Sequence, residues 1–270
     1  MNGLGPIGVF DSGVGGLSVA SELLSVVPDE SLLYYADTKH VPYGGRPLDE
    51  VRGFALHIVD FLVDRGAKLV VMACNISSAT AVEMAQERYP DVPMIGVLRP
   101  GARAACATGA DRIGVLATQG TVASGAYERA VHEADKGIGV LQVACPKFVP
   151  LVESGRTEGE EARDACREAL LPLATHPACD AIILGCTHYP FLLPMLRRVA
   201  SELFEHGPIF VDPAEETART VAQTLRACCI AAEPGSRPIH RFFASGDVDQ
   251  FRAHAPLLLG APVDEVEQAD

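Results

Sequence analysis

The sequence predicts an α/β protein of two domains, each a parallel-type sheet flanked by helices. Three observations carry that expectation. Short apolar runs alternate with amphipathic segments, which is the order of strand-helix units around a parallel sheet. The chain of 270 residues, 48% hydrophobic and 21% charged, is long enough for one large core or two smaller ones sharing a cleft. Finally, "KLVVMACNISSAT" at 68–80 and "AIILGCTHYPFL" at 181–192 make the same transition: an apolar run, a small residue, a cysteine, then hydrogen-bonding side chains.

Taken in order, "IGVF" from residue 7 reads as the first strand, bounded by the turn-forming "DSGVGG", and a helix follows from about 16. "LLYYA", a helix from about 48, "LVVMA", a helix from about 77 and "MIGV" continue the alternation. It resumes with "RIGVLAT", a helix near 121–135, "IGVLQV", a helix around 158–174, "AIILG" and a helix from 190, where Pro190 suits a first turn. "IFVD", a helix from about 214, "RFFAS" and a polar tail complete the chain. No low-complexity linker intervenes, and the expected domains are 1–98 with 208–270, and 99–207.

A faint repeat cuts across this order. "IGVFDSGVGG" at 7–16 aligns with "IGVLATQGTV" at 113–122, an offset of 106 residues, close to the 112 that separate Cys74 from Cys186. A duplicated α/β half would give both spacings, and two similar apolar strands would give the first by coincidence. In open parallel sheets ligands bind outside the carboxyl ends of the strands, where both cysteines fall.

Composition excludes several classes. A formal charge of −13 argues against nucleic acid, whose phosphates demand a basic surface, yet leaves room for a small anion held by backbone N–H groups. No apolar run approaches a membrane span, and "MNGLGPIGVFDSG" has no secretory signal, so a cytoplasmic location is expected, with no membrane partner. Eight cysteines spread over so long a chain read as thiols rather than a disulfide framework, and the absence of C-x-x-C argues against a zinc ribbon. Cys228 and Cys229, within "TLRACCIAA", read as buried small residues of a helix.

Two elements carry candidate chemistry. In "FDSGVGGLS", Gly13 and Gly15 fit a dinucleotide fingerprint whose sixth position is Ser18, and Asp37 falls near the place of a ribose-binding acid; a tight strand-helix turn explains the glycines equally well. Cys74 and Cys186 each stand where a strand gives way to a helix, where the helix dipole favours thiolate, and His188 is close enough to Cys186 to exchange a proton with it. Hydrolysis would need only one such nucleophile. Inverting a carbon that carries hydrogen needs a base on one face and an acid on the other. Two groups of ordinary pKa near 8.5 suit that task in both directions.

Together and in this order, "FDSGVGGLSV", "YADTKHVPYGGR", "ACN", "GVLRPG", "CPKFVPLVESG" and "ILGCTHYP" closely resemble the glutamate racemases, and the likeness runs from about residue 7 to "FFASGD" at 242–247. The resemblance implies pseudo-twofold symmetry, with the active site in the interdomain cleft, and a cofactor-independent, metal-free reaction supplying D-glutamate for peptidoglycan. By motif, Cys74 and Cys186 are the paired acid and base, Asp11 and His188 assist them, and Glu153 supports. Substrate contacts fall to Asp11, Ser12, Tyr43, Gly44, Asn75, Thr187 and His188, with Thr118 and Thr121 as further candidates. The family motif has threonine where this chain has Ile76, so the backbone N–H of Ile76 or the hydroxyl of Ser77 must serve, or the preferred substrate has shifted. A homodimer is the expected assembly. The chain begins almost at its first strand, so the extension that some relatives use for activation by a cell-wall precursor is expected to be missing. Two other classes remain open at this stage: a nucleotide-dependent dehydrogenase or reductase, and a non-catalytic amino-acid-binding module of two lobes.

Overall fold

The computed structural model of the chain describes residues 5–269 apart from 176, 261 and 264; the reading of the amino-terminal stretch falls partly on residues 1–4, outside them. Two compact units emerge, Met1–Val97 with Ala214–Asp270, and Leu98–Pro213.

The first unit opens with the predicted alternation: β1 (Ile7–Asp11), α1 (Leu17–Val26), β2 (Leu32–Ala36), α2 (Leu48–Asp64), β3 (Leu69–Met72), α3 (Asn75–Arg88) and β4 (Met94–Gly96). The chain then builds the second unit from α4 (Leu98–Cys106), β5 (Arg112–Ala117), α5 (Gln119–Ser124), α6 (Ala126–Ala134), β6 (Gly139–Ala144), α7 (Phe148–Glu153), α8 (Gly159–Ala174) and β7 (Ala181–Gly185). A 3₁₀ turn (Tyr189–Leu192), α9 (Leu193–Leu203) and β8 (Ile209–Val211) finish it. The return to the first unit consists of α10 (Pro213–Ala227), β9 (His240–Ala244), α11 (Val248–Leu259) and β10 (Val266–Gln268).

Both sheets are parallel, in the orders β10-β9-β2-β1-β3-β4 and β6-β5-β7-β8. Period-two alternation assigns the first sheet's strand residues to two cores. Ile7, Val9, Leu32, Tyr34, Leu69 and Val71 face the core that α1, α10 and α11 cover, while Phe10, Leu33, Tyr35, Val70 and Met72 face that of α2 and α3. Burial on both faces is why these strands read as continuous apolar runs.

The structure departs from the sequence reading at several joints. The helix expected over 121–135 is two, α5 and α6, divided by Gly125 at φ 63°. The stretch after "MIGV" forms α4 despite Pro100, which stands in the first turn, where a missing N–H costs no helical bond. The described part of the polar tail holds regular elements: Asp247 caps α11 by accepting from the Gln250 N–H at 2.9 Å, Gly260 closes it, and β10 joins the sheet edge. Cys228 and Cys229 are exposed rather than buried, because α10 ends at Ala227 and they lie beyond its apolar stripe.

Candidate active site

In the first unit, parallel register aligns the carboxyl ends of four strands. Asp11 pairs with Ala36, Ala36 with Ala244, and Phe10 with Met72, so Asp11 and Ser12, Asp37, Cys74 and Ser245 all leave the sheet at one edge. The Ala73 N–H still donates to the Phe10 carbonyl at 2.9 Å, which holds the residue before the thiol in the ladder. Cys74 itself is extended, at φ −67° and ψ 121°, and is the N-cap of α3, as its place between strand and helix predicts. Asp11 is fully buried and its Oδ2 accepts from the Gly13 N–H at 3.0 Å. Tyr34 fixes the same turn by donating its phenol to the Gly13 carbonyl at 3.0 Å. Burial first, and then the neighbouring Asp11 and Cys74, push the Tyr34 phenol well above its ordinary range, as expected of a dry pocket holding carboxyl and thiol together.

Ser12 and Asn75 are buried at this edge, whereas Gly44 is partly exposed. Cys74 belongs to a small apolar cluster with Tyr43, Val51 and Ile76. The Ile76 side chain is therefore packing material. Ser77, one residue on, is fully buried, and its hydroxyl has no hydrogen-bond partner among the described residues, so an unspent donor lies beside the position where the resemblance implies a threonine. Asp37 commits its carboxylate to His40, Tyr43 and Ser245, which leaves the dinucleotide reading without its ribose-binding acid.

In the second unit the pairing of Ala117 with Gly185 sets Thr118 and Cys186 at adjacent strand ends. Thr118 caps α5, with its Oγ1 accepting from the Thr121 N–H at 3.4 Å and standing 3.0 Å from the Thr121 hydroxyl. The Cys186 Sγ is 3.8 Å from His188 Nδ1, and the Thr187 hydroxyl is 3.5 Å from the same nitrogen. On the far side of the ring, His188 Nε2 is 3.6 Å from Glu153 Oε1. Thiol, imidazole and carboxylate thus follow one another, an order in which a proton can leave the thiol toward the ring while the carboxylate steadies the charge that develops. Cys186 and His188 are buried, and Glu153 reaches the surface. Tyr189 locks this arrangement: its phenol donates to the Cys145 carbonyl at 3.2 Å and its ring meets Phe148 edge-on at 4.9 Å, holding α7, and with it Glu153, against the turn that follows Cys186. Among the described residues no group of three or more His, Cys, Asp and Glu side chains is placed to hold a metal ion.

The model of the Asp/Glu/hydantoin racemase family matches residues 7–221. A glutamate racemase from Desulforudis audaxviator is 43% identical over 97% of each chain. The chain belongs to the glutamate racemase family. It is accordingly an amino-acid racemase, an isomerase. The fold agrees: glutamate racemase isoform RacE1 of Bacillus anthracis superposes with a TM-score of 0.92 at 39% identity, covering 100% of this chain and 98% of that one. The Francisella tularensis glutamate racemase, solved in complex with D-glutamate, gives 0.91 at 29% identity over 99% and 98%. The motif-bearing residues of this chain gather at two strand edges, one in each unit. Sequence reasoning did not foresee the parts of Tyr34 and Tyr189, which act through shape and hydroxyl placement and carry no reactive signature.

Proposed function

We propose that this racemase interconverts L- and D-glutamate without a cofactor by a two-base mechanism, with Cys74 and Cys186 as the bases. What supports the reading above all is that each thiol stands at a parallel-sheet carboxyl edge that also carries a proton-handling group: Asp11 at the edge of Cys74, and His188 with Glu153 at Cys186. One thiolate removes the α-proton from one face of the substrate while the opposing thiol protonates the other, and the two exchange protonation states with each turnover. The chemistry requires both thiols to reach one α-carbon, one from each face. Ser12, Tyr43, Gly44, Asn75, the Ile76 N–H, Thr118, Thr121 and Thr187 would hold the two carboxylates and the ammonium, through hydroxyl, amide and backbone groups rather than fixed positive charge. In the cell the product would be the D-glutamate of peptidoglycan, made in the cytoplasm by a homodimer.

The test is purified protein with L-glutamate in deuterated water, free of pyridoxal phosphate, metal and nucleotide, followed by circular dichroism and mass spectrometry. Optical activity should decay to zero with one deuteron entering at the α-carbon. Turnover that depends on an added cofactor would sink the mechanism. Aspartate should turn over far more slowly, because a site spaced for two carboxylates leaves polar groups unpaired against the shorter acid.

A further inference from the structure

We propose that Ser245, acting with Asp37, is a positioning residue that holds the Tyr43–Gly44 loop at the Cys74 edge, so that the carboxyl-terminal return of the chain governs substrate affinity. This rests on the reading of Tyr43 and Gly44 as substrate contacts.

The loop between β2 and α2 is pinned at both ends of a buried polar chain. Asp37, 2% exposed, accepts from the Ser245 hydroxyl at 2.6 Å on Oδ1 and from the Tyr43 phenol on Oδ2, while His40 Nδ1 lies 2.8 and 2.9 Å from the two oxygens. The Ser245 Oγ accepts in turn from the Lys39 N–H at 3.1 Å, so one hydroxyl ties both the carboxylate and the loop backbone. The next residue repeats the tie: the Gly246 N–H donates to Thr38 Oγ1 at 2.9 Å. A Cβ at position 246 would stand 2.7 Å from that oxygen and 3.1 Å from Lys39 N, so only glycine lets strand and loop approach this closely.

Ser245 is itself rigidly held. Its N–H donates to the Ala36 carbonyl at 3.0 Å, and its carbonyl accepts from Gln268 Nε2 at 3.1 Å. What Asp37 receives from this frame it passes to Tyr43, whose ring packs with Cys74, Val51 and Ile76 and lies 5.7 Å from the Phe54 ring. The Tyr43 carbonyl accepts from the Arg46 N–H at 3.0 Å, fixing the turn through Gly44. The bonds from His40 and Arg46 are local and survive without Ser245. The two ties that reach across 206 and 208 residues to Ser245 do not.

The experiment compares wild type, Ser245→Ala and Ser245→Thr, which keeps the hydroxyl. For Ser245→Ala, KM for both enantiomers should rise on the order of tenfold, the loss of one hydrogen bond to a carboxylate, with kcat within about twofold. Ser245→Thr should restore KM. Amide hydrogen exchange over 38–46 should accelerate in the alanine variant and return to the wild-type rate in the threonine one. An unchanged KM with an active wild type, a loss that Ser245→Thr fails to rescue, or unaltered exchange over the loop would each overturn the proposal. A wild type that racemises no glutamate would strike the functional reading instead, and the exchange rates would still decide whether Ser245 holds the loop.

Discussion

Gly16 shows how a site can depend on an atom that is not there. A Cβ at this position would lie 2.5 Å from the Asp11 Cβ, 2.9 Å from the Tyr34 hydroxyl and 3.0 Å from the Ala73 Cβ, so the start of α1 can close on the Cys74 edge only with hydrogen here. Gly16→Ala should therefore cost about 1–3 kcal/mol of stability through overpacking. It should also lower kcat more than it raises KM, because the group displaced is the one proposed to handle protons beside Cys74. Urea unfolding and steady-state rates in both directions check the pair of effects, and a variant with normal stability and normal kcat contradicts the packing account. Cysteine, aspartate and histidine were legible as candidates because their chemistry is carried by the side chain itself. The need for glycine at 16 was not, since the "GVGG" run suits any tight strand-helix turn, and only the approach of Asp11, Tyr34 and Ala73 distinguishes this glycine from its neighbours. Ser77 was weighed from the sequence only as a substitute for the missing threonine, and its buried, unspent hydroxyl is the physical feature that gives that option content.

Among the elements, helix ends were harder to read than helix existence. α10 finishes in a two-bond turn, with Ile230 N–H donating to the Leu225 carbonyl at 3.0 Å and Cys229 N–H to the Arg226 carbonyl at 3.1 Å, while buried Ile230 and Leu225 supply its apolar contact. This is the glycine-favouring helix terminus, yet the left-handed position is Cys229 at φ 55°. Reading "ACCIAA" as continuous helix followed from its composition, and no glycine marked the stop. Cys229→Gly removes the Cβ strain of that conformation and should stabilise the protein by roughly 1 kcal/mol, offset in part by glycine's greater freedom in the unfolded chain. Thermal melting of the two proteins under reducing conditions measures it; a lower melting temperature in the glycine variant refutes the strain. The tail shows the converse failure. α11 carries both an Asp247 cap and a terminal Gly260, signals the sequence does contain, but Pro256 within the helix and the polar stretch beyond it disguised the period. The strands fared better, because runs buried on both faces of a parallel sheet need no periodicity to be seen.

At the scale of the whole molecule, the alternation of strand and helix made the parallel sheets legible, and the 112-residue spacing of the cysteines made their equivalence legible. Pairing between distant segments was not. That β9 would lie beside β2, bringing Ser245 to Asp37, depends on a return of the chain whose register no local pattern encodes. The two thiols, one in each unit, lead to the prediction that separates opposed bases from a single mobile one. Replacing Cys74 or Cys186 with serine should reduce racemisation by about 10²- to 10⁴-fold, the usual cost of losing a positioned acid or base, since an alcohol is far less acidic than a thiol. The folded structure should persist, because serine is nearly isosteric and each site already borders hydrogen-bonding groups. On the proposed mechanism, with the direction the family resemblance implies, Cys74 would take the proton from D-glutamate and Cys186 from L-glutamate. Cys74→Ser should then keep more of its residual α-proton exchange in deuterated water with the L-enantiomer, and Cys186→Ser with the D-enantiomer. Each variant retains one competent base on one face, so each should wash out the proton of one enantiomer faster than it produces the other. Equal exchange of both enantiomers by either variant would mean that one thiol serves both faces, and near-normal racemisation by either would reduce that cysteine to a core residue.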